Sequence, residues 1–237
     1  MIQNPKENKI PLLFVHIPKA AGSTIKHYFN CFDKSAIAHR TRHYSLRNIK
    51  VKIYDKHVSH QCIAFEDYFK FAIFRNPWDK MLSTYNYFIE YAVEAGNEYW
   101  IKIKEKKYNF KDWVLHLHEE VGIENTIKKY NYFNYIKLNG RVGVDYIINF
   151  YNLNEDFELI KKINKTTENL ETKIRSREHE FFKNYYDDKT VELVEEIHKK
   201  DIKMFKFSFD NYKYADLEKF YNLEKIKNIL QEIESIK

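Results

Sequence analysis

LLFVHIPKAAGST, residues 12–24, decides how this chain folds. Leu12 to His16 form a short apolar run of the kind that makes a buried parallel strand. Ile17-Pro18-Lys19-Ala20-Ala21-Gly22-Ser23-Thr24 then forms a loop of small residues with one lysine. Beyond it Ile25, Tyr28, Phe29 and Phe32 recur at helical spacing and predict a first helix. Strand, small-residue loop and helix together make the geometry of a phosphate cradle. Ala20, Ala21 and Gly22 let backbone approach a ligand closely. The helix start adds unpaired N–H groups and the positive end of its dipole. Ser23 and Thr24 contribute hydroxyls, and Lys19 a mobile positive charge. No Walker A loop is present, because the lysine precedes the glycine and no Ser or Thr follows it to hold a metal. That argues against a Mg-dependent kinase. By itself the loop fits equally an ordinary strand-to-helix turn with an exposed lysine.

A second run, Phe71-Ala72-Ile73-Phe74, predicts another buried strand. It leads into RNPWDKMLSTY, residues 75–85. Asn76 suits a helix cap and Pro77 the first helical turn. Trp78, Met81, Leu82, Tyr85, Ile89 and Ala92 mark the buried face of a long helix. Arg75 stands at the strand end, and Ser83 lies on a flank of that helix. A guanidinium fork and a hydroxyl converging on one point suit a phosphate monoester. The plain alternative is an Arg75–Asp79 pair across the first turn. Exposed pairs of that kind contribute little, and one would leave the rest of the string unexplained.

Further helices are expected at 110–119, 126–137, 153–163 and 189–205, and a strand at 144–150. Strands interleaved with helices define an α/β class: a three-layer, P-loop-like sandwich with a central, mostly parallel sheet flanked by helices. No repeat or linker divides residues 1–237, which read as one domain. Leu217, Phe220, Leu223, Ile226, Leu230 and Ile233 share one stripe of an amphipathic helix at about 213–236. It packs on the body or offers a homodimer contact.

The net charge of +6 suits an anionic ligand without demanding nucleic acid. Residues 1–9 are polar, and the first apolar stretch is too short to span a bilayer. Two cysteines, Cys31 and Cys62, do not make a disulfide scaffold. A cytoplasmic protein without a membrane partner is the expectation.

FVHIPKAAGST resembles the 5′-phosphosulfate loop of carbohydrate-type sulfotransferases, and FRNPWDKMLSTY resembles their 3′-phosphate motif. The two stand in the family's order. VDYIINFYNLNEDF, residues 144–157, is similar to a later family segment, with Tyr151 where relatives carry Glu. Residues 163–166 and the stretch from Tyr185-Tyr186 to Phe205 resemble its C-terminal pattern, so the likeness runs from about Leu12 to Phe207. It implies a soluble, bacterial-type enzyme using 3′-phosphoadenosine-5′-phosphosulfate (PAPS) and releasing the 3′,5′-bisphosphate PAP, with no metal. It further implies that Lys19, Ala20, Ala21, Gly22, Ser23 and Thr24 hold the phosphosulfate, and that Arg75 and Ser83 hold the 3′-phosphate. Lys183 falls where relatives carry a basic residue, although a solvated surface lysine is its plain reading. The acceptor implied is a hydroxyl, on a glycan.

Sulfuryl transfer to a hydroxyl needs a general base titrating near neutrality, which favours histidine. His39, His43, His57 and His60 lie between the two motifs. His57, in a His-Val-Ser segment, resembles a histidine of uronic-acid-type 2-O-sulfotransferases and is preferred over His43. Lys19 would stabilise the leaving oxygen as a second catalytic group. His57, His60 and Cys62 lack a partner cluster at zinc-ligand spacing. A nucleotide kinase and a non-catalytic nucleotide binder are the competing classes.

Overall fold

The protein is described by a computed structural model covering residues 10–32, 43–58, 63–92, 94, 96–170 and 181–235, without the side chains of 30–32, 56–58 and 92. In chain order the elements are β1 (Leu12–Val15), α1 (Gly22–Phe32), α2 (Leu46–Ile49), a π-wound helix (Lys50–Val58), β2 (Phe69–Phe74) and α3 (Pro77–Tyr87). A π-wound turn, Phe88–Ala92, precedes α4 (Glu98–Glu105), α5 (Phe110–Glu119), α6 (Ile123–Tyr130) and α7 (Tyr132–Ile136). The hairpin β3 (Lys137–Leu138) and β4 (Arg141–Val142) leads to β5 (Tyr146–Asn149) and α8 (Leu153–Ile163). Then come α9 (Asp188–Phe205) and α10 (Leu223–Ser235). Among the described residues no helix is long and apolar enough to cross a membrane.

Two compact units divide the chain. The first comprises Met1–Phe74, Tyr132–Ser176 and Leu217–Lys237, and it holds the sheet. Its strands run β1-β2-β5, all parallel, with Leu12 opposite Phe69 and Phe71 opposite Tyr146. LLFV and FKFAIF are buried at every position, as strands covered on both faces require. Phe14 and Phe71 meet on one face, where Phe29 of α1 lies 6.4 Å from Phe71 and Tyr28 packs edge-on against Phe157 of α8. Phe74 points to the opposite face and stacks on Tyr132 of α7 at 4.5 Å. Helix, sheet and helix therefore make three layers inside this unit.

A buried charge cluster closes the amino-terminal end of the sheet. The Asp145 carboxylate accepts from the Lys70 backbone N–H at 2.8 Å, from Lys225 Nζ at 3.2 Å and from Asn222 Nδ2 at 3.1 Å. Lys225 also reaches the carbonyls of Glu66 and Tyr68. Burial pulls the Lys70 ammonium down to about 8, against the opposing charge of Asp145. Lys225 and the buried Ile229 dock α10 on its own unit. The expected stripe is only partly right, because Leu223 is 68% exposed and the helix proper starts there.

The second unit, Arg75–Asn131 with Arg177–Asp216, is helical. Its core is aromatic: Phe88 stacks on Trp100, which lies 5.3 Å from Trp113. The single helix expected over 126–137 is two helices and a strand. Asn131 is extended (ψ 134°), and its amide donates to the Ile197 carbonyl on α9, which breaks the helix between Tyr130 and Tyr132. Lys137 and Leu138 then pair with Val142 and Arg141 instead of extending a helix.

Candidate functional site

The small-residue loop adopts a conformation that costs energy. Lys19 (φ 63°) and Ala21 (φ 52°) are left-handed although neither is glycine, whereas Ala20 and Gly22 have no positive φ. Such residues carry strain of order 1–3 kcal/mol each. Alternating handedness turns successive N–H groups toward one side and forms an anion-binding nest. Helix α1 starts immediately, with Ile25 N–H donating to the Ala21 carbonyl at 3.1 Å. The N–H groups of its first turn lack helical acceptors, and no acidic residue stands in that turn to compete for them. Ala20 and Thr24 are buried, while Lys19 and Ser23 are half-buried and within reach of a ligand.

His16 was not foreseen. Its ring lies against Phe14 and 4.6 Å from the ring of His43. A Cβ added to Gly22 would meet His16 Nε2 at 1.7 Å, so residue 22 must be glycine while that ring is in place. The one signal in the sequence is this glycine six residues on, and it becomes legible only once the loop's turn is known. His43 is exposed and left-handed (φ 63°), two residues ahead of the Ser45 cap of α2. His57 belongs to the π-wound helix, but its side chain lies outside the described residues, as do His39, His60 and Cys62 as candidate ligands or bases. Tyr151 sits in the single turn Phe150–Asn152 just past β5, at the sheet edge where β1 also ends; its N–H donates to Asn149 Oδ1.

In the helical unit, Asn76 caps α3 as expected, accepting from Trp78 N–H at 3.1 Å, and Pro77 opens the helix. The Asn76 amide also donates to the carbonyls of Ser208 (2.8 Å) and Tyr212 (3.3 Å). Arg75 does pair with Asp79, and the pair is not the exposed one first considered. Nε and Nη2 each donate at 2.7 Å to a separate carboxylate oxygen, and both side chains are 13% exposed. Asp79 thus takes two of the five donors of a guanidinium and fixes the plane of the fork. Ser83, four residues beyond Asp79, shares its flank of the helix and is buried. Tyr186 donates to the Trp78 carbonyl at 2.8 Å, and its hydroxyl is pushed well up by burial and by the Asp79 charge.

Lys183 is not simply solvated. Its ammonium donates to the Asp210 carbonyl at 3.2 Å, lies 3.6 Å from that carboxylate, and sits over the rings of Phe181 and Phe209. Sequence reasoning also missed a cluster beneath α3, in which Lys80, His198 and Asp201 are all buried.

A parallel α/β sheet whose first strand runs into a nest at a helix start defines a P-loop-like anion-binding protein. The chain matches the sulfotransferase family over residues 6–208, and it belongs to that family of PAPS-dependent transferases. No curated protein and no solved structure matches it.

Proposed function

We propose that the protein transfers the sulfuryl group of PAPS to a hydroxyl of a carbohydrate. The observation that carries this reading is the alternation of left-handed Lys19 and Ala21 immediately before α1, strain that a bound anion would justify. Lys19, Ala20, Ala21, Gly22, Ser23 and Thr24 take the 5′-phosphosulfate. Arg75, its guanidinium oriented by Asp79, and Ser83 take the 3′-phosphate. Lys183 sits on the short turn that packs against α3 and adds positive charge there. A glycan acceptor rests on the likeness of the two motifs to carbohydrate-type enzymes.

In the transfer step a bond forms between sulfur and the acceptor oxygen as the sulfur bond to the 5′-phosphate oxygen breaks. The hydroxyl proton passes to a histidine, and the Lys19 ammonium neutralises the charge growing on the leaving oxygen. His57 and His43 are the two candidate bases. The contact of His43 with His16, against Gly22, favours His43.

Calorimetry with PAP and with ADP, each with and without Mg²⁺, tests the donor. Metal-independent binding of PAP in preference to ADP is expected, and a preference for ADP with Mg²⁺ would overturn the reading. A panel of glycan, lipid and small phenolic acceptors incubated with labelled PAPS then tests the acceptor class; label entering only the lipid or phenolic acceptors rejects the carbohydrate assignment.

A further inference from the structure

The residue His16 leaves β1 one position before Ile17 and Pro18 lead into the cradle. Its ring is nearly parallel to that of Phe14, 5.8 Å away with planes 21° apart, and tilted 42° to that of His43. A Cβ on Gly22 would lie 1.7 Å from Nε2, 2.0 Å from Cδ2 and 2.5 Å from Cε1, so the imidazole fills the space a side chain on the first residue of α1 would need. In a helix the Cα–Cβ bond leans toward the amino terminus. The space taken by the ring therefore adjoins the N–H groups on which an anion rests. Phe14, His16, Gly22 and His43 all belong to the unit that holds the sheet.

We propose that His16 binds the sulfuryl group of PAPS, donating from Nε2 to a sulfuryl oxygen, and seats His43 beside that group as the base. This rests on the donor reading above and extends it to a residue that reads the transferred group itself. A donor fixed on a sulfuryl oxygen stays bonded while sulfur passes from the phosphate oxygen to the acceptor oxygen, and charge on that group is stabilised throughout. His43, whose ring lies 4.6 Å from that of His16, accepts the hydroxyl proton. No change of oxidation state is involved, and the only proton moved is that of the acceptor.

PAP lacks the sulfuryl group, so the contact exists with PAPS and not with PAP, and no acceptor is needed to test it. Affinities for PAPS and PAP are measured by equilibrium dialysis for the wild type, His16→Phe and His16→Gln, with circular dichroism melts as a check on folding. Phenylalanine keeps a ring over Gly22 without a donor, whereas glutamine restores an N–H donor at similar reach. The expected result is that His16→Phe weakens PAPS binding about tenfold or more while PAP affinity stays within about twofold, as loss of one charge-assisted hydrogen bond requires. His16→Gln should recover part of the loss. If His16→Phe does not fold, His16→Asn, whose amide is too short to reach, makes the same comparison. Equal effects on PAPS and PAP, or none on either, overturn the role of His16 alone. Failure of the wild type to bind either nucleotide overturns the donor assignment, and the role of His16 with it.

Discussion

The ammonium of Lys80 donates to the carbonyl oxygen of Tyr130 at 2.5 Å from a side chain only 1% exposed. It thereby ties α3, which carries Asp79 and Ser83, to the last residue of α6. Burial pulls this ammonium down to about 7, with the Asp201 carboxylate opposing the shift. Asp201 and His198, both fully buried on α9, are 3.1 Å apart through Nδ1 and Oδ2. A buried, partnered cluster of this kind sets one arrangement of helices by making every other arrangement leave a charge unpaired.

Stability should rise with pH from about 7 toward 10.5, because the unfolded chain, with lysine at its ordinary value, binds more protons than the folded one in that window. Lys70, lowered to about 8, adds a slope of the same sign. Urea denaturation of Lys80→Met should show a shallower rise than the wild type, since Lys70 is common to both. Parallel profiles would mean that Lys80 is not held as described.

The His198 ring is held down to about 4, by burial first and against the opposing Asp201 bond. Its folded value lies below the ordinary one of 6.5, so the stability it contributes is present above pH 6.5 and lost as pH falls toward 4. His198→Asn keeps a donor for Asp201 without a titrating ring. Its melting temperature should fall less than that of the wild type between those two pH values.

The Arg75 fork, gripped by Asp79 at two points of 2.7 Å, cannot be replaced by an ammonium without losing that geometry. Arg75→Lys should weaken PAP binding by about 1.5–3 kcal/mol, the range for hydrogen bonds to charged groups. ADP, which lacks a 3′-phosphate, should be unaffected in the same calorimeter. Equal losses for both nucleotides would remove Arg75 from the 3′-phosphate.

Gly22→Ala forces the His16 ring to move, at a cost of about 1–3 kcal/mol for an overpacked site. The φ of Gly22 is not in the left-handed region, so the backbone accepts alanine once the ring is gone. A double-mutant cycle with His16→Ala should therefore show strong coupling, the pair being more stable than the sum of the singles. Strict additivity in urea denaturation would contradict the contact.

At Asn76 both ends of the amide are used, the oxygen as a cap and the nitrogen on the carbonyls of Ser208 and Tyr212. Aspartate caps an isolated helix as well as asparagine does. Here Asn76→Asp should nonetheless destabilise by at least as much as Asn76→Ala, on the order of 2 kcal/mol or more, because it sets a carboxylate against two carbonyl oxygens. A near-neutral Asn76→Asp would show those carbonyls to be satisfied by water.

Much of the fold was legible because its signals are local. The apolar runs at 12–16 and 71–74 became β1 and β2 within two residues, and the helices expected at 110–119 and 153–163 have those bounds. Asn76, Pro77 and the small residues 20–22 act within one turn of where they stand. The expected helix over 126–137 went wrong at Asn131 because a contact with Ile197, distant in the chain, outweighs helical propensity there. The strand expected over 144–150 shortened to Tyr146–Asn149, since its start is occupied by the Asp145 cluster.

From its residues alone this protein's class was determined: a strand, a loop of small residues and a helix start, followed by the Arg75 to Tyr85 string, carry the likeness to the family that the chain matches. Only the tertiary structure decided which charges are buried and with whom, as in Arg75 with Asp79 and Lys80 beside Asp201. It alone laid the ring of His16 over Gly22. Periodicity and capping are written within a few neighbouring residues, whereas the environment of a charge or a ring is made by elements that meet only after the chain has folded.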